Sequence, residues 1–219
     1  MDFDDVYASE RVTRKFSNKR VSSRQIKQII QLAQQSPSLL NSQPWRVYAI
    51  TDKPLRQLRS EFAEWWDRKE KPYEDFTTLL KVKWNTFATQ NIANFGAAQA
   101  YFFYDKINLF NESNRAMFNA PCILYLTVPK DSPYWSVYDL GIFSQSIMLN
   151  ALNCGLGVMP AHNLVAYPDL IRKYVPIPDD EMVAMGIGIG YKDENAEVNH
   201  DKFIPSRLPI DTIYKMINK

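Results

Sequence analysis

The 219-residue chain is long enough to bury a core as one folding unit, and its 46% hydrophobic and 23% charged residues exclude a disordered or fibrous protein. Twenty-six basic against 24 acidic residues leave a formal charge of +2, too little to mark a nucleic-acid surface without a clustered patch. Two cysteines without CxxC or Cys/His spacing exclude a disulfide framework and a zinc site, and the opening MDFDDVYASER has no apolar export segment, so a reducing, cytoplasmic setting is expected.

No repeat, low-complexity tract or Gly/Ser linker divides the chain, so a single domain over residues 1–219 is expected. The densest basic stretch runs from Arg11 to Arg20, where Lys19 and Arg20 read as a solvated turn. From Ser22, the stretch SSRQIKQIIQLAQQS places Ile26, Ile29, Ile30 and Ala33 on one helical stripe, with Ser22 and Gln25 spaced as a capping box. That helix ends before Pro37. Trp45 to Thr51 reads as a strand, and Pro54 suits the first turn of a charged helix through about Glu70, with further helix past an interruption near Pro72 towards Tyr104.

APCILYLTV, Ala120 to Val128, is a nearly unbroken β-prone apolar run and predicts a central strand covered on both faces. Between about Tyr138 and Asn153 apolar residues lie on all sides of a predicted helix, with Gly155 placed to end it. Asp139, Gln145 and Asn150 interrupt that run, so protein rather than membrane is expected to cover every side. Met182 to Gly190, MVAMGIGIG, alternates glycine with larger residues and predicts a strand approached closely by another backbone. Pro209 opens a short terminal helix. Strands near 45, 123 and 184 separated by long helices give an α/β or α+β class.

No GxSxG, HExxH, P-loop or GxGxxG is present, and there are two histidines. An enzyme of this sequence would leave the electron chemistry to a cofactor and supply positioning. Three segments place polar groups beside regular elements: RVTRKF, SPSLLNSQPW and KFIPSR. Arg11 and Arg14, joined by Arg207, either grip one phosphate monoester or are unrelated surface cations. Asn41 and Gln43 either meet a heterocycle edge or satisfy local backbone groups in a helix-terminal turn.

The order of these segments resembles the FMN-dependent nitroreductase family along nearly the whole chain. ERVTRKF stands where the family has "RRSxRxF", and SPSLLNSQPW where it has "APSGxNxQPW" entering a strand. NRAMFNAP resembles "NxxFFxAP" before a central strand, GLGVMP resembles "GLGxxP" after a buried helix, and VNHDKFIPSRLPID resembles the family tail. The resemblance implies an α+β, nitroreductase-like fold with a central mixed sheet flanked by helices, in an intertwined homodimer. It implies Arg11, Arg14, Lys202 and Arg207 around the FMN phosphate and ribityl chain. Pro37, Ser38, Leu39 and Asn41 would reach the flavin from the partner subunit, and Asn114 would meet its pyrimidine edge. The backbone at Pro160, Ala161 and His162 would face flavin N5 and O4, while His162 reads equally well as an exposed loop histidine.

Departures are visible too. Glu10 and Val12 replace an arginine and a serine of the family pattern, which removes a cation and a hydroxyl from the phosphate cradle and predicts weaker FMN binding. Leu39 and Leu40 fill a loop where the family has glycine, which predicts a narrower or more apolar space over the ring. The implied activity is electron transfer from NADH or NADPH to a small aromatic or quinone acceptor by a ping-pong mechanism, with no metal, membrane or nucleic-acid partner and no catalytic side chain beyond the flavin. The alternatives are a non-catalytic flavin-binding or flavin-sensing protein, and a flavin enzyme of the same fold with specialised chemistry such as dehalogenation.

Overall fold

The computed structural model describes residues 2–8, 11–76, 84–199 and 205–218. After a short helix α1 (Phe3–Ala8), helix α2 (Ser23–Ala33) opens on the expected capping box: Ser22 Oγ accepts from the Gln25 N–H and Gln25 Oε1 accepts from the Ser22 N–H, both at 3.2 Å. Its stripe of Ile26, Ile29 and Ala33 is buried. Strand β1 (Arg46–Thr51) leads into α3 (Asp52–Asp67), with Pro54 in the first turn and Leu55, Leu58 and Phe62 buried.

Helix α4 (Thr86–Phe102) is capped by the Asn85 side chain, which accepts from the Ala88 N–H at 2.8 Å. Helix α5 (Ile107–Arg115) precedes the predicted central strand, β2 (Cys122–Pro129). Helix α6 (Tyr134–Asn153) ends in a Schellman motif at Gly155, whose φ of 71° favours glycine: Gly155 N–H donates to Leu152 O at 2.8 Å and Leu156 N–H to Ala151 O at 3.0 Å. Strand β3 (Gly157–Ala161), helix α7 (Pro168–Tyr174), strand β4 (Glu181–Gly190) and helix α8 (Ile210–Ile213), opened by Pro209, complete the described elements.

The sheet has the order β1-β2-β4-β3. Its class is α+β, as expected, but every pairing between named strands is antiparallel. Among the described residues the mixed character is confined to one isolated parallel bridge, Val12 to Val158. Alternation along β2 builds two cores. Cys122, Leu124, Leu126 and Val128 face α2 and α6, while Ile123 and Tyr125 face α3 and α7. Burial among apolar neighbours pushes the Cys122 thiol up to about 12, so it acts as a small hydrophobe; Cys154 is half-buried at the end of α6.

In a single protomer helix α6 buries Phe143, Ile147 and Ala151 and leaves Tyr134 95% exposed and Tyr138 63%. Two expectations need correction. The β4 glycines are approached by side chains rather than by another backbone. A Cβ on Gly186 would meet Leu164 at 2.6 Å and one on Gly190 would meet the Pro121 ring at 2.5 Å. Strand β3 was not among the predicted strands. It is short, lies at the sheet edge and carries Pro160, which an edge strand tolerates.

Candidate functional site

The segment carrying Arg11 and Arg14 runs beside β3. Thr13 N–H donates to Val158 O at 2.8 Å, which occupies the strand edge left open by β4. Over the next two residues, the Asn199 carboxamide oxygen accepts from the N–H groups of Arg14 at 2.7 Å and Lys15 at 2.9 Å, and its Nδ2 donates to Lys15 O at 2.6 Å. Ser113 Oγ donates to the Arg14 carbonyl. Arg14 is thereby held 8% exposed with its guanidinium carbon 5.6 Å from the Phe103 ring centroid, and burial lowers its pKa from the ordinary arginine value. Arg11 is exposed. Further along, Arg20 pairs with Asp52 at 2.9 Å and Lys19 lies over the Tyr191 ring, so the end of the basic stretch is surface, as expected.

From Ser113 the wall continues through Asn114. Asn114 Nδ2 donates to Phe110 O at 2.8 Å, and its Oδ1 accepts from Asn163 Nδ2 at 3.2 Å. Asn163 sits one residue past His162, in the turn that follows Pro160 and Ala161 at the end of β3. Arg14, Asn114 and the residues 160–162 are therefore joined through Ser113 and Asn163 although they come from three distant parts of the chain. Asn199 and Asn163, which hold them together, carry no local sequence signal.

His162 is not a bare surface histidine. Its Nε2 lies 2.8 Å from Glu74 Oε1, with the histidine side chain 45% exposed and that of Glu74 5%. Glu74 Oε2 is buried and has no hydrogen-bond partner among the described residues. The segment that presents Glu74 is tied down on both sides. Tyr73 N–H donates to Ala166 O at 3.0 Å, while Asp75 Oδ2 receives Arg172 Nη2 and the Val183 N–H, both at 2.7 Å.

The loop holding Pro37, Ser38, Leu39 and Asn41 is fixed elsewhere, on α6. Leu39 N–H donates to the buried Asp139 carboxylate at 3.0 Å, and Ser36 Oγ to Ser146 Oγ at 2.8 Å. The Trp45 ring stacks on Phe143 with centroids 4.5 Å apart. Ser38 Oγ is used locally, accepting from the Gln43 N–H at 3.0 Å. Pro37, Leu39 and Asn41 are exposed, and Leu40 is 94% exposed with φ at 53°, in the left-handed region that disfavours leucine. Gln43 Nε2 meets Asn41 Oδ1 at 3.1 Å, the local satisfaction that one reading of these amides expected.

Of the three arginines, Arg14 is buried while Arg11 and Arg207 are exposed. Arg207 Nη1 donates to Pro205 O at 3.0 Å, within a tail whose residues 206–218 are all exposed. Lys202 and Glu10 lie outside the described residues. Val12 contributes its backbone to the β3 edge. Among the described residues no group of three or more His, Cys, Asp or Glu could hold a metal ion, and no helix is long and apolar enough to cross a membrane.

Residues 8–191 match the model of the nitroreductase family. The chain is 28% identical to 4-nitrobenzoate reductase of Pseudomonas putida over 207 residues, 90% of this chain and 88% of that protein. It is 27% identical to nitroreductase NfnB of Mycolicibacterium smegmatis over 195 residues, 86% of this chain and 82% of that one. The crystal structure of the FMN-dependent nitroreductase NfnB from Mycobacterium smegmatis in complex with NADPH has the same fold, with a TM-score of 0.88 and 22% identity over 98% of this chain and 97% of that chain. The match of the family model over most of the chain, on a fold shared with a solved nitroreductase, makes this protein a member of the nitroreductase family.

Proposed function

We propose that the protein is a homodimeric FMN-dependent oxidoreductase that passes electrons from NADH or NADPH to an electrophilic acceptor, a nitroaromatic or a quinone, in a ping-pong cycle. The observation that carries this reading is the set of hydrogen bonds that links the buried Arg14 through Ser113, Asn114 and Asn163 to the turn at the end of β3. Its donor set fits FMN: arginine for a phosphate monoester, an amide for a pyrimidine edge, and strand-end backbone for ring heteroatoms. The relatives named as 4-nitrobenzoate reductases support a nitroaromatic acceptor.

Bound FMN supplies two-electron exchange between a reduced nicotinamide and an acceptor. The chain's own residues bind and orient. Arg14 presents a fixed cation whose burial strengthens its hold on phosphate, with exposed Arg11 adding charge at the rim. Asn114 offers its remaining amide proton to the ring edge, in an orientation set by Phe110 O and Asn163. The loop of Pro37, Ser38, Leu39 and Asn41, held against α6 with Pro37, Leu39 and Asn41 exposed, would close the site of a second copy and exclude water from it. Arg207 would join a phosphate site through a tail that the dimer holds in place.

Initial rates measured while varying NADPH at several fixed concentrations of 4-nitrobenzoate test the cycle. Parallel double-reciprocal lines support one site used in turn by both substrates; converging lines contradict it. A protein that retains FMN and oxidises neither NADH nor NADPH would be a flavin-binding module instead.

A further inference from the structure

The buried carboxylate of Glu74 has no place in the reading above, yet it touches the residue at the end of β3. A carboxylate is costly to bury, and half of this one, Oε2, is buried with no partner among the described residues. Its other oxygen holds His162 Nε2 at 2.8 Å. Tyr73 and Asp75, each bonded to a different element, leave the carboxylate little freedom to turn away. This arrangement is a hydrogen-bonded acid–histidine pair, with the acid inside and the imidazole half-open to solvent.

We propose that Glu74 positions His162 as the proton donor to the oxygen of the electron acceptor. The inference rests on the oxidoreductase reading and deepens it. With Nε2 committed to Glu74, Nδ1 is the ring nitrogen left for the site.

The reaction needs such a donor. Two-electron reduction of a nitro group to the nitroso level is ArNO2 + NADPH + H+ → ArNO + NADP+ + H2O. The nicotinamide supplies a hydride, one N–O bond breaks, and the departing oxygen leaves as water with two protons. His162 Nδ1 delivers one proton to that oxygen and recovers it from solvent through its exposed side. Asn163, next in the chain and bonded to Asn114, keeps the turn carrying His162 against the flavin-edge residue.

The test compares two acceptors for the FMN-loaded enzyme with NADPH: 4-nitrobenzoate, whose reduction consumes protons, and ferricyanide, which takes electrons alone. His162→Ala lowers the ratio of nitrobenzoate to ferricyanide turnover on the order of a hundredfold, the usual contribution of a positioned acid. Glu74→Gln, which keeps shape and a hydrogen-bond acceptor, lowers the same ratio about tenfold at an unchanged KM for NADPH. Added imidazole restores part of the nitrobenzoate rate in His162→Ala. Equal losses with both acceptors, or a ratio unchanged in both variants, overturn the inference. Wild-type enzyme that reduces neither acceptor overturns the oxidoreductase reading itself, so the two failures are distinct.

Discussion

The N–H of Thr13 donates to the carbonyl of Val158 at 2.8 Å, which pins the arginine-bearing N-terminal segment to the outer edge of β3. The fit is close enough to depend on Gly157, because a Cβ there would collide with the Thr13 side chain. Gly157→Ala is expected to push Thr13 and Arg14 off the strand, at a stability cost of about 1–3 kcal/mol. FMN affinity should fall with it. Flavin fluorescence titration of the variant checks this; unchanged affinity would separate the segment's register from cofactor binding.

Arg14 is the buried cation of the site, and Arg14→Met keeps much of its volume while removing its charge. Loss of a charge-assisted phosphate contact is expected to weaken FMN binding by about 1.5–3 kcal/mol, roughly ten- to a hundredfold. Arg207→Ala should cost less in dilute protein, since Arg207 meets only its own tail in the protomer. Equilibrium dialysis of both variants decides the ranking.

Asp139 is buried in α6 and accepts the Leu39 N–H. Asp139→Ala strands that donor and is expected to destabilise the protein by about 1–3 kcal/mol. The urea midpoint should drop with an unchanged slope. A changed slope would mean that the loop rearranges rather than losing one bond.

Much of the fold was legible because its signals are local. The Ser22–Gln25 capping box, the Gly155 stop and the nine-residue run from Ala120 each satisfy their own neighbourhood, and each stands where the sequence predicts it. β3 was not legible as a strand. It is five residues long with a proline, and its pairing with β4 and Val12 is entirely long-range. The all-round apolar pattern of α6 asks for cover, which one protomer gives to Phe143, Ile147 and Ala151 and withholds from Tyr134 and Tyr138. Within the site, the motif residues Arg14, Asn114 and His162 could be named in advance. Asn199, Asn163 and Glu74 could not, since polar residues far apart in sequence announce no contact.

The uncovered surfaces predict the dimer. Leu40, Tyr134 and Ile217 are 94%, 95% and 88% exposed, and Leu40 also holds a left-handed backbone that costs about 1–2 kcal/mol. A second copy of the chain would bury them through an isologous interface. Sedimentation equilibrium should report a dimer that FMN strengthens, and Leu40→Asp should shift it towards monomer. A flavin-loaded monomer with full turnover would refute the shared site.

The central claim is tested most directly by an anaerobic titration of the FMN-reconstituted protein with NADPH, followed by 4-nitrobenzoate. The account predicts a bound flavin spectrum that bleaches with one equivalent of NADPH per site and returns in full when the nitro compound is added. A protein that fails to retain FMN, or a bound flavin that neither NADPH nor NADH bleaches, would contradict it.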